Sequence, residues 1–285
     1  MTSSEWLDEA IAGGKIRKIP YDDITKIETL DEGAFAKVYL AKCNLISEEI
    51  VLKKIQKCHI KEKDSLFAFI KELKIHSNLD QHVNIISLYG ISEKKNSYFL
   101  VMQYANNGTL CKFLKEKCDT LDWAKKLSLA KQMADGIQYL HSCKIIHRDL
   151  HSKNILIHDG QIKISDFNLS KDINSLPTNN SEILGATPYI DPKMFIDTKY
   201  KKDQKSDIYS LGVLFWEVSS CRAPFAGHSN HVALMSEIIK GVRENPHVDT
   251  PLEYVNLYVD CWQFEPQARP SINEVRNRLE KILTE

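Results

Sequence analysis

The sequence predicts an α+β fold in two lobes, a small antiparallel β-sheet lobe with one long helix and then a larger, mainly α-helical lobe. A change of periodicity carries that prediction. From Ile24 to Ile55 short β-type runs dominate, ITKIETL, KVYLAKC and EIVLKKI, separated by DEGAFA and NLISE as in a strand meander. Beyond Gly108 apolar residues recur at helical spacing instead, through TLCKFLKEK, LDWAKKLSLAKQMADGIQYLHS, SDIYSLGVLFWEVSS, VALMSEIIKGV, PLEYVNLYVDCWQ and SINEVRNRLEKIL. The boundary falls between Gln103 and Gly108, where a strand run meets ANNG.

Ahead of the sheet, Ser3 or Ser4 is set to cap a short amphipathic helix carrying Trp6, Leu7, Ala10 and Ile11, which Gly13 and Gly14 stop. Residues 1–23 thus read as an N-terminal helical extension to a domain spanning 24–285, with lobes at 24–104 and 105–285. Inside the small lobe, Lys61 to Leu79 groups Leu66, Phe69, Ile70, Leu73 and Ile75 toward one side of a helix. Two further apolar runs, IISLYGI and SYFLVMQY, complete the sheet.

The 285 residues are 43% apolar, enough for a buried core. Lys plus Arg and Asp plus Glu number 38 each, so net charge gives no reason to expect nucleic acid as a partner. The seven cysteines are odd in number and lack zinc-ligand spacing, which fits free thiols in a reducing compartment. No run approaches the ~20 apolar residues of a membrane span, so a cytoplasmic location without membrane insertion is expected.

The segment HRDLHSKNIL, His147 to Leu156, followed by ISDF at Ile164 to Phe167, carries the chemistry. In that order, behind a lysine-bearing strand, these residues resemble the protein kinase family, and the likeness runs from about Leu30 to Pro270. The later segments SDIYSLGVLFWE and CWQFEPQARPS resemble the tyrosine-kinase-like group. The resemblance implies a bilobal kinase fold, ATP with Mg2+ as cofactors, and a protein substrate. It also implies that Asp149 orients the incoming hydroxyl and takes its proton, while Asn154 and Asp166 hold magnesium. Lys53 of IVLK matches the strand lysine that contacts the inner phosphates, and Glu72 matches the helix glutamate that holds it. Val38 and Val51, with Leu156, match the apolar surfaces around adenine, Met102 limits that pocket's depth, and the backbone of Gln103 to Ala105 supplies hydrogen bonds. Asp207 matches a buried carboxylate that holds the catalytic-loop backbone, and His147 reads as a packed structural histidine.

Three departures from the family pattern stand out. In Leu30 to Val38 only Gly33 survives of the glycine-rich phosphate loop, and Asp31 brings a carboxylate toward a polyanion. Asn168 stands where glycine usually follows Asp166 and Phe167, and asparagine tolerates positive φ best among the other residues. Lys193 replaces the glutamate that usually pairs with an arginine, here Arg269, which leaves Asp191 as the candidate acceptor.

Substrate class is mixed in its signals. Serine/threonine kinases usually carry lysine where this chain has His151, Lys153 occupies the place of a tyrosine-kinase arginine, and Ala186 stands where a substrate-loop threonine is usual. Serine/threonine transfer is expected, with dual specificity open. Arg148 is a candidate receiver for a phosphate placed by an upstream kinase on the segment 166–193, at Thr178 or Ser181 among Ser170, Ser175, Thr187 and Tyr189. The basic run Lys193, Lys199, Lys201, Lys202 and Lys205 attracts acidic partners or is simply solvated. The alternative to an active enzyme is a pseudokinase scaffold or switch, supported by Asp31, Asn168 and Lys193. Transfer to a small molecule is disfavoured by the long activation segment.

Overall fold

A computed structural model describes residues 3–32, 36–55, 62–79, 81–95, 97–167, 169–172, 187–197 and 199–284. It divides into two compact units, 1–106 and 107–285.

The first unit opens with helix α1 (Ser3–Ala12), whose Leu7 and Ala10 are buried. Gly13 and Gly14 close it through amides bonded to Glu9 and Ile11, Gly14 taking the left-handed conformation that glycine adopts without strain. The Ser3 or Ser4 cap falls outside the described side chains. Strands β1 (Ile24–Glu32), β2 (Ala36–Cys43) and β3 (Ile46–Ile55) follow as antiparallel neighbours. Helix α2 (Glu62–Ser77) then leads to β4 (Leu88–Lys94) and β5 (Ser97–Gln103). The five-stranded order is β1-β2-β3-β5-β4, so the last hairpin folds back to put β5 beside β3. Strand β4 starts later than IISLYGI suggests because the Ile85 amide closes a turn on His82 O instead of entering the ladder.

Strand alternation gives the sheet two distinct faces. Ala41, Ile50, Leu52, Phe99 and Val101 pack with Ile19 and Ile24 into the core of the unit. Across the pleat, Val38 opposes Lys53, Val51 opposes Met102, and Lys53 opposes Leu100. Expected site residues from three strands thereby share one face, a consequence of register alone.

The second unit begins with α3 (Leu110–Lys117) and α4 (Trp123–Ser142), capped by the Thr109 hydroxyl and the Asp122 carboxylate. Four short strands follow, β6 (Ile145–Ile146), β7 (Ile155–His158), β8 (Gln161–Ile164) and β9 (Lys171–Asp172), paired β6 with β9 and β7 with β8. The sequence periodicity does not single out these short strands, and they leave the unit mainly α-helical as expected. Asp159 and Gly160 both have positive φ, 49° and 70°, the requirement of a tight two-residue hairpin turn. Helices α5 (Lys193–Ile196), α6 (Gln204–Ser220), α7 (His231–Ile239), α8 (Leu252–Cys261) and α9 (Ile272–Thr284) complete the unit.

Helix α6 is buried on every side from Ser206 to Ser220. Gly212 permits this, since a Cβ there would lie 2.7 Å from Cys261 Cβ of α8. The Lys193 departure is compensated at the foot of the same helix. Arg269 donates from both terminal nitrogens to Asp191, at 2.7 and 2.9 Å, with both side chains fully buried. Tyr200 and Ser206 donate to the same carboxylate. Lys193 turns away to Glu265, at 2.6 Å, and lies over the Phe264 ring. Burial works to raise the Asp191 carboxyl, but the Arg269 bonds and charge outweigh it and hold it below the ordinary range.

Asp191→Ala, which strands a buried guanidinium, is expected to destabilise the protein by about 3–5 kcal/mol in urea unfolding. Lys193→Met, at a partly exposed pair, is expected to change stability by under about 1 kcal/mol. Because the folded pKa of Asp191 is depressed, its contribution is present above the ordinary carboxylate value near ~3.9 and is lost as pH falls through the lower folded value.

Candidate functional site

In the first unit the Lys53 ammonium on β3 donates to Glu72 Oε1 of α2 at 2.8 Å. The side chains are 9% and 0% exposed, so each charge depends on the other for its solvation. Phe69, one turn before Glu72, packs its ring 5.3 Å from Tyr98 of β5, which fixes the helix over this part of the sheet. Met102 and Ala105 are buried, Val38, Val51 and Gln103 partly so, and Leu30 is 40% exposed on β1. The Gln103 amide is bonded to Ser87 O. Asp31 is exposed. Gly33, the retained glycine of the phosphate loop, lies outside the described residues.

In the second unit the loop between β6 and β7 carries Asp149 and Asn154. Asn154 Nδ2 donates to Asp149 O at 2.9 Å and to its carboxylate at 3.2 Å. With that nitrogen committed, the Asn154 side-chain oxygen is the atom left for a hard cation. Asp166 lies two residues beyond the end of β8. The hairpin register pairs Ile155 with Ile164, and the Ser165 amide and hydroxyl both donate to Asn154 O, at 2.9 and 3.0 Å. A two-residue turn thus brings together the chain positions of Asn154 and Asp166, the two expected oxygen ligands, which lie twelve residues apart in sequence. Lys153 is exposed, Leu156 is partly buried, and His151 Nε2 lies 3.7 Å from the Asp149 carboxylate. Asn168 lies outside the described residues.

The loop is held from beneath. Asp207 of α6 accepts from the amides of His147 and Arg148 at 2.9 and 2.8 Å, and its Oδ2 lies 2.9 Å from His141 Nε2. Burial pushes its carboxyl upward, but these bonds and the neighbouring histidines prevail and hold it below the ordinary range. His147 is fully buried, its Nε2 3.0 Å from Ser165 O, while its Nδ1 accepts the Asp149 amide at 3.4 Å. Burial pushes its pKa down, which favours the neutral ring.

Other residues near the loop escape a sequence reading. Tyr189 donates to Glu217 Oε2 at 2.6 Å beside Ser152, and burial pushes the Glu217 carboxyl up to about 7. Of the hydroxyls considered for phosphorylation, Ser170, Thr187 and Tyr189 are buried, Ser170 donating to His147 O. Ser175, Thr178, Ser181 and Ala186 lie outside the described residues. The lysine run is also no uniform solvated patch. Lys193 meets Glu265, Lys202 and Lys205 donate to backbone carbonyls, and only Lys199 and Lys201 of the five are exposed.

The family model described as protein tyrosine and serine/threonine kinase matches residues 24–279. The chain belongs to that kinase family. Its sequence is 32% identical over 267 residues to a putative serine/threonine-protein kinase/receptor of Acanthamoeba polyphaga mimivirus, covering 90% of this chain and 15% of that protein. It is 30% identical to the probable serine/threonine-protein kinase roco7 of Dictyostelium discoideum, covering 93% of this chain and 10% of the relative. A fibroblast growth factor receptor of Halocynthia roretzi is also 30% identical, with 93% and 39% covered. This kinase domain therefore spans well under two thirds of the length of these relatives. Among its described residues no helix is long and apolar enough to cross a membrane.

Asp207→Asn keeps the shape but removes the charge that accepts these donors. Amide hydrogen exchange at His147 and Arg148 is expected to accelerate, with a stability loss of about 1.5–3 kcal/mol.

Proposed function

We propose that the chain is an ATP-dependent protein kinase that transfers the γ-phosphoryl group to serine or threonine hydroxyls of proteins. The observation that carries this reading is the Asp149–Asn154 arrangement, in which one amide steadies a carboxylate while its own oxygen stays available for a metal. Magnesium, when bound through Asn154 and Asp166, supplies charge neutralisation on the nucleotide phosphates. Lys53, oriented by Glu72, serves the inner phosphates as a fixed cation. Asp149 receives the proton of the substrate hydroxyl as the hydroxyl oxygen bonds the γ-phosphorus and the bond from that phosphorus to the bridging oxygen breaks, releasing ADP. Val38, Val51, Met102 and Leu156 serve the adenine ring. Since the Gln103 amide is engaged with Ser87, the Gln103 carbonyl and the Ala105 amide are the groups proposed to bond the base.

The pseudokinase alternative loses one of its supports, because Asp191 and Glu265 offset the Lys193 departure. Serine/threonine preference is supported by two of these relatives, which are named serine/threonine-protein kinases, and dual specificity stays open because the family model covers tyrosine and serine/threonine kinases alike. Control by an upstream kinase at Thr178 or Ser181 is part of the proposal. Arg148 supports it, a half-buried guanidinium whose Nε has no hydrogen-bond partner among the described residues. A cytoplasmic location rests on the cysteine pattern.

Purified protein with γ-labelled ATP, magnesium and a generic protein substrate is expected to label serine and threonine. Asp149→Asn should reduce the rate by about 10²–10⁴-fold, and phosphatase pretreatment should lower it. Nucleotide binding without any transfer would favour the scaffold reading instead.

A further inference from the structure

Lys202 stands apart from the lysines around it. Its neighbour Lys201 is exposed, whereas the Lys202 side chain runs inward beneath the catalytic loop, and its ammonium donates to Arg148 O at 3.0 Å. There it lines, with Arg148, Asp149, His151, Tyr189 and Asp191, a cavity of about 10 Å3, enough for about one water.

The backbone that delivers this side chain is fixed on both sides. Tyr200 is bonded to Asp191, and Asp203 caps α6 by accepting from the Lys205 amide at 2.8 Å in a reciprocal box with Ser206. Burial and the Arg148 charge both work against a protonated Lys202, while Asp149, Asp207 and Asp191 favour it. An apolar residue would fill the same space without that desolvation, so core packing alone gives no reason for a lysine here.

The bond falls on a strained part of the loop. Arg148 has φ 71°, a conformation that non-glycine residues hold only when their surroundings impose it. Asp207 fixes the Arg148 amide, which belongs to the preceding peptide. The Arg148–Asp149 peptide is held separately, its N–H by His147 Nδ1 at 3.4 Å and its C=O by Lys202 Nζ. The first of these bonds is long, and the second is charge-assisted and within normal length. The orientation of this peptide sets the direction in which the Asp149 side chain leaves the backbone.

We infer that Lys202 is a positioning residue for phosphoryl transfer, its ammonium locking the Arg148–Asp149 peptide so that the Asp149 carboxylate meets the substrate hydroxyl. The inference rests on the kinase reading for its consequence in catalysis. The hold on the peptide stands on geometry alone.

Lys202→Met removes the bond and Lys202→Gln keeps a neutral, shorter donor. In Lys202→Met, kcat is expected to fall at least about tenfold while KM for ATP stays within about twofold, since a displaced acid affects the chemical step rather than nucleotide binding. Amide exchange at Asp149 should accelerate selectively, with Lys202→Gln intermediate in both measures. If Lys202→Met does not fold, the Gln variant against the unsubstituted protein decides the matter by the same two readouts. A kcat within twofold of the unsubstituted protein, or exchange accelerated evenly across the second unit, would overturn the assignment. Should the unsubstituted protein transfer no phosphate, the kinase reading fails on its own, and unchanged exchange at Asp149 would then sink the proposed hold as well.

Discussion

A single buried carboxylate organises the second unit. Asp207 accepts the His147 and Arg148 amides and lies against His141, from a helix with no solvent-facing side over most of its length. Arg148 and Asp166 both sit at positive φ, 71° and 65°, conformations that a loop keeps only when stronger interactions impose them. At Arg148 helix α6 supplies that imposition through Asp207, because a fully buried helix cannot move without opening the core. The Asp191–Arg269 pair stiffens the segment leading into the same helix, and Tyr200, Ser206 and Asp203 tie its start. Rigidity in the core is thereby converted into a fixed backbone at Asp149.

The same logic appears at smaller scale in the first unit. A lysine buried on a strand is unfavourable alone, and a glutamate buried on a helix equally so. Paired at 2.8 Å they are tolerated, and sheet register sets Val38, Val51 and Met102 on the same face. The chain has no net charge, yet two ion pairs, Lys53 with Glu72 and Arg269 with Asp191, are buried within it.

Much of this was legible in the sequence, for identifiable reasons. Long periodic stretches such as LDWAKKLSLAKQMADGIQYLHS became helices. The Asp191 acceptor followed from the family resemblance, in which an arginine pairs with the glutamate that Lys193 replaces, leaving Asp191 two residues earlier as the nearby carboxylate. What escaped was local or irregular. The strands β6 to β9 are too short for alternation to register, although Asp159-Gly160 carried a hairpin signal. Lys202 looked like one cation in a solvated run, because burial in a non-periodic segment depends on tertiary packing. Ser170, Thr187 and Tyr189 looked like accessible hydroxyls for the same reason, and their burial narrows regulatory phosphorylation to other positions.

The central proposal is that the protein binds a magnesium nucleotide, with Asn154 and Asp166 assigned to the metal and Lys53 assigned to the phosphates. Calorimetric titration of ATP with and without magnesium tests it most directly. ATP binding should be strengthened by the metal, Asp166→Asn should abolish that strengthening, and Lys53→Met should weaken binding whether or not the metal is present. Failure to retain nucleotide at millimolar concentration with magnesium, or a metal effect that survives Asp166→Asn unchanged, would contradict it.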